Sequence, residues 1–125
     1  MGFPPDQVLT LKDIVERIAC WPDVTGCVLG QSNGLTIVAH LSPKVKYDKA
    51  TIMAFAPRMF DAVNKSFNEI SGAQSDELII PTQDTSFHIL RKANLYLIIL
   101  ARTPQMPSRH LQVARLVLAV LNYNK

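Results

Sequence analysis

The stretch from Pro22 to His40 constrains the fold of this chain most tightly. Two apolar runs, Cys27-Val28-Leu29 and Leu35-Thr36-Ile37-Val38-Ala39, flank the segment Gln31-Ser32-Asn33-Gly34. Asn-Gly between apolar runs marks a hairpin, because a tight reversal needs positive φ and these residues tolerate it. Pro22 ends any helix before it, and Gly26 permits a kink where the first strand starts. Neither strand alternates cleanly. A strand that is apolar on both faces is covered on both faces, so this sheet needs helices above and below.

Helical periodicity supplies them. Leu11, Ile14, Val15 and Ile18 recur at the spacing of one buried stripe, with Asp6 or Thr10 as the expected cap and Trp21 closing the stripe before Pro22. After a loop from Leu41 to Tyr47, Asp48 caps a long second helix over about Lys49 to Ser71, which Gly72 ends. Its inward stripe is expected at Ile52, Phe55, Ala56, Met59, Val63, Phe67 and Ile70. Met53 and Phe60 widen the apolar arc to roughly 160°, where about 100° suffices to cover a sheet. The surplus is either extra core or a contact with a second partner. Pro57 lies inside this helix and removes one backbone hydrogen bond.

Leu78-Ile79-Ile80 is a third strand, and Pro81 marks it as an edge. Phe87 to Lys92 alternates as a fourth. Leu95 to Ala101, the most hydrophobic, is the expected central strand. A third helix ends near Tyr123; Leu111, Ala114, Val117, Leu118 and Leu121 form its main stripe. Val113, Leu116 and Val120 leave it little polar face, which predicts extensive burial. The order is α-β-β-α-β-β-β-α, an α+β chain with one five-stranded antiparallel sheet between helices. Its 125 residues fit a single domain, 1–125.

Composition narrows the function. The net charge of +3 comes from scattered lysines and arginines rather than one basic face, which argues against nucleic acid. No apolar run approaches the ~20 residues of a membrane span. Residues 1–5 read as a frayed arm without a secretory signal, and Asp6 stands where a Met1-Gly2 myristoylation motif wants Ser or Thr. A cytoplasmic protein follows, with Cys20 and Cys27 reduced and buried.

Catalytic constellations are missing from the sequence. Gly26, Gly30 and Gly34 fit neither a phosphate loop nor a dinucleotide fingerprint and read as turn and bulge residues. His40, His88 and His110 have no metal-like spacing. Cys27 in an apolar strand is a poor nucleophile, and no serine elbow occurs. No cofactor is expected.

Four features together resemble the roadblock family, named from a dynein light chain. They are the entry Pro22-x-Val24-x-Gly26-x-Val28-Leu29, the hairpin Ser32-Asn33-Gly34-Leu35-x-Ile37-Val38, the long helix followed by Gly72, and the strand Leu95-Tyr96-Leu97-Ile98-Ile99. The resemblance runs from about Val8 to Tyr123. The third helix is similar to that of prokaryotic and endosomal-scaffold members, whereas dynein light chains proper are shorter. The resemblance implies a profilin-like/roadblock architecture, with helices one and three on one sheet face and helix two on the other. It also implies homodimers joined by third strands edge to edge and second helices side by side. Such dimers are non-catalytic platforms for small Ras-like GTPases. On that basis the seam is expected at Met53, Pro57, Phe60, Asn64, Phe67, Leu78, Ile79 and Ile80, with Arg58, Asp61 and Lys65 facing the partner. The alternative is a small-ligand-sensing signalling module, because similar helix-covered sheets bind small molecules. A large apolar pocket with converging polar groups favours the ligand; a flat two-helix surface favours the scaffold.

Overall fold

The computed structural model describes residues 5–123, with side chains from Thr10 onward. Of the arm expected at residues 1–5, residues 1–4, including Met1-Gly2, lie outside the described residues, and Pro5 is instead the first residue of α1. In chain order the elements are α1 (Pro5–Ala19), β1 (Val24–Gln31), β2 (Thr36–Leu41) and α2 (Lys49–Ile70). Then follow β3 (Glu77–Pro81), β4 (Ser86–Lys92), β5 (Leu95–Ala101) and α3 (Ser108–Tyr123). All strand pairs are antiparallel, in the order β2-β1-β5-β4-β3. The most apolar strand, β5, is therefore central, and β3 is an edge paired only with β4.

Two cores sandwich the sheet. On one face Leu11, Val15 and Ile18 of α1 and Ala114 and Leu118 of α3 pack on Cys27, Leu29, Leu97 and Ile99. On the other, Ile52, Met53, Ala56 and Phe60 of α2 pack on Val28, Ile89, Ile98 and Leu100. Burying each such large side chain contributes roughly 1.5–3 kcal/mol. The β1–β2 turn has Gly34 at φ 89, and the Asn33 side chain accepts from the Leu35 N–H. Asp48 caps α2 by accepting from the Thr51 N–H at 2.7 Å, which holds its carboxyl below the usual range. Past the other end Gly72 takes the left-handed conformation at φ 74.

Three local expectations are corrected. Neither Asp6 nor Thr10 is the cap of α1, because the helix starts at Pro5, whose fixed φ suits a first turn. Cys20 is exposed and only Cys27 is buried. The third helix is not extensively buried: Val113, Leu116 and Val120 are exposed, and only Ala114 and Leu118 are fully covered. One sheet face covers one side of a helix, whatever the residues on the other side.

Candidate functional site

The path of α2 defines the site. Its core residues meet successive strands. A Cβ on Gly30 of β1 would run into Met53 Sδ and lie 2.7 Å from the Leu35 carbonyl, so glycine is what lets the helix settle there. Phe60 packs edge-on against Tyr96 of β5, with ring centroids 5.7 Å apart. The Arg91 guanidinium of β4 lies 4.7 Å from the same ring. Asn64 pairs with the backbone just before β3, accepting from the Ser75 N–H at 2.7 Å and donating to the Ser75 carbonyl at 3.3 Å. The helix thus packs over β1, β5 and β4, with Phe55 of its first turns already meeting Phe87 of β4, and Asn64 ties its later part to the segment just before β3.

It then outruns the sheet. A helix of 22 residues spans roughly 33 Å, longer than both the roughly 24 Å of the seven-residue β5 and the roughly 19 Å across five strands. Phe67 lies on the same side of α2 as Phe60, yet it is 44% exposed, and Ile70 is 79% exposed. Both lie in the last turns of the helix, past Asn64, the last α2 residue that is buried. Phe55, Met59 and Val63 form a half-buried flank of α2. Leu78 and Ile80 of β3 pack only partly against the α2-side core, and Ile79 on the opposite face is 51% exposed. The free edge of β3 and the apolar end of α2 are both left uncovered within this chain.

Met53 and Phe60 were expected at a seam, and the structure corrects that. Both are fully buried against the sheet of their own chain and have no surface to offer. Asn64 is also buried, its amide used by the Ser75 backbone. The inward face is centred near Phe60 rather than near Ile52, a rotation of roughly 70° on a wheel of 100° per residue. Arg58, Asp61 and Lys65 lie on the exposed back of α2, and Pro57 is half-buried. Sequence reasoning missed the overhang. Its one local sign is the polar Asn64, set between Phe60 and Phe67 on the buried side.

At the start of α2 the surface forms an apolar cup of about 250 Å³, lined by Tyr47, Thr51, Ile52, Phe55 and Phe87. Tyr47 and Phe55 both meet Phe87 edge-on, with centroids 5.5 and 5.9 Å apart. Lys44, Lys46 and Lys49 are exposed around it, Lys46 within 3.8 Å of the Asp84 carboxylate. Two ion pairs tie down β3 elsewhere: Glu77 with Arg115 of α3, and Asp76 with Arg91 at 3.0 Å.

Among the described residues no group of His, Cys, Asp and Glu is placed to hold a metal ion. Burial pushes the Cys27 thiol up, away from the reactive thiolate. His88 is buried on the α3 side, where burial lowers its pKa and a contact from Nε2 to the Thr103 carbonyl at 3.4 Å partly offsets this. No described helix is long and apolar enough to cross a membrane.

No family model matches this chain, and no curated protein does. Solved structures do match. The gliding protein MglB from Thermus thermophilus is 11% identical, with a TM-score of 0.77 over 100% of this chain and 95% of that one. MglB of Myxococcus xanthus is 9% identical, with a TM-score of 0.73 over 92% and 87%. A Roadblock/LC7 domain from Streptomyces avermitilis is 18% identical, with a TM-score of 0.72 over 90% and 95%. The chain has the roadblock fold, and its nearly full-length likeness includes MglB proteins.

Proposed function

We propose that this chain is a non-catalytic roadblock-type domain that dimerises and serves as a cytoplasmic platform for a small Ras-like GTPase. One observation carries the reading: β3 is a free sheet edge, and the chain leaves Ile79 on that strand and Phe67 and Ile70 at the end of α2 exposed. An unpaired edge seeks another strand, and a second copy related by a twofold axis offers the same edge. Antiparallel β3–β3 pairing extends the sheet across the dimer. The seam becomes Phe67, Ile70, Met59 and Val63 on the helix with Leu78, Ile79 and Ile80 on the strand, and Pro57 on its margin. The paired α2 helices then present Arg58, Asp61 and Lys65 on one polar surface. That a GTPase docks there rests on the roadblock resemblance. The ligand-sensing alternative does not rest on the cup at the start of α2, whose walls are apolar; its support is a hollow of about 280 Å³ between β4 and α3, where Asp76, Glu77, Arg91, Lys92 and Arg115 converge, the two carboxylates already paired with the two arginines.

Calorimetric titration with the Ras-like GTPases of the source genome tests this. One of them is expected to bind the wild-type dimer, and Arg58→Glu with Lys65→Glu is expected to weaken it at least tenfold while circular dichroism stays unchanged. Absence of binding by any of them, or binding indifferent to both changes, overturns the GTPase assignment.

A further inference from the structure

The third helix keeps an apolar face that nothing in the described chain covers. Ala114 and Leu118 of α3 pack on the sheet. Val113, Leu116, Val120 and Tyr123 are exposed on the other side, Leu116 at 63% and Tyr123 at 88%. We propose that a second copy of α3 covers this face. The two helices pack antiparallel about a twofold axis level with Leu118, so that Val113 faces the copy's Tyr123 and Leu116 faces its Val120. This surface lies on the opposite side of the sheet from α2. It is separate from the β3 dimer proposed above and does not rest on it.

Spacing gives the first argument. The four residues follow one another at intervals of three, four and three, and they fall within roughly 80° on a wheel of 100° per residue. That is the seam of a helix pair, where side chains at this spacing enter holes on a facing helix. A strand or a lipid surface makes no such demand. The pattern also reads the same in both directions. Val113 and Tyr123 each stand five residues from position 118, and Leu116 and Val120 each stand two. A twofold axis at that level matches every residue of the stripe with another, as a self-complementary contact requires.

Charge gives an independent argument. From Leu116 to Tyr123 no residue of α3 is charged, and Arg115 is already held by Glu77 of β3. Two copies therefore bring no like charges together along the seam. Arg109 stands in line with the stripe, one turn before Val113. In the antiparallel pair it lies past the last turn of the copy's α3, at the carbonyl end of that helix. The last turn of α3 has no basic residue of its own, and a cation there is favourable with the helix dipole. A helix that seeks a membrane instead borders its apolar face with many Lys and Arg. Four side chains a protomer fall well short of the roughly 20–30 residues a side of a standard interface, so the contact is weak and joins copies at high concentration.

Sedimentation velocity carried from micromolar to near-millimolar protomer tests the surface. Wild type is expected to grow beyond its low-concentration species as concentration rises. Leu116→Glu is expected to keep native circular dichroism and the low-concentration species, and to lose that growth. Phe67→Asp keeps the α3 face and is expected to associate in the upper range; if it stays monomeric throughout, the surface is not separate from the β3 dimer. A wild type that does not grow, or a Leu116→Glu variant that grows as wild type does, overturns the proposal. So does flotation of wild type with phosphatidylserine vesicles that Leu116→Glu abolishes, which gives the face to lipid. Disulfide trapping reads the register. In a Cys20→Ser background, Val113→Cys and Tyr123→Cys proteins are mixed at high concentration and oxidised; a disulfide needs Cα atoms within about 7 Å. The mixture is expected to give a covalent pair and neither protein alone, because like positions lie ten residues apart along the seam, roughly 15 Å. A covalent pair from Val113→Cys alone overturns the antiparallel arrangement.

Discussion

His88 shows how a single side chain sets a pH limit. It is buried on β4, and its contact with the Thr103 carbonyl requires the proton on Nε2, which leaves Nδ1 without a partner. Burial lowers its pKa below the ordinary 6.5. The unfolded chain therefore takes up a proton near 6.5 that the folded chain refuses. The stabilising contribution is complete above that value and declines as pH falls through it towards the lower folded value. Denaturant midpoints at fixed protomer concentration are expected to fall between about pH 7.5 and about pH 5.5, and His88→Asn is expected to flatten the fall. An equal decline in both proteins refutes the assignment. The sequence showed His88 on a strand among apolar neighbours. It did not show Thr103, because that contact depends on the path of the β5–α3 loop.

At the scale of elements, α2 holds both the success and the miss of sequence reasoning. Its bounds were legible because Asp48 and Gly72 are local signals. Its apolar surplus was legible as well. Its rotation was not. The arc spans Phe55 to Phe60 on the wheel, and any direction within it satisfies periodicity. What fixes the rotation is nonlocal: the close approach at Gly30, the Tyr96 ring and the Ser75 backbone. The two phenylalanines separate core from seam. Phe60→Asp places an unpaired charge in a closed core and is expected to unfold the chain, a loss of several kcal/mol. Phe67→Asp alters an exposed residue and is expected to keep native circular dichroism while dissociating the dimer. If Phe67→Asp unfolds the chain as badly as Phe60→Asp, the overhang is misplaced. The excess apolar face of α3 is the parallel case. Val113, Leu116 and Val120 suggested burial, but composition does not say how many sides of a helix find cover.

At the scale of the molecule, element order and the edge position of β3 followed from the sequence because turn and breaker residues are local. The pairing order β2-β1-β5-β4-β3 brings β5 from late in the chain beside β1, and no local signal fixes that. The dimer is the claim on which the platform and the redrawn seam both depend. Sedimentation velocity at micromolar protomer concentration tests it most directly. The wild-type chain is expected to run at twice its mass of 13.9 kDa, and Phe67→Asp as a folded monomer. A wild-type chain that stays at 13.9 kDa, or a Phe67→Asp variant that dimerises as tightly as wild type, contradicts it.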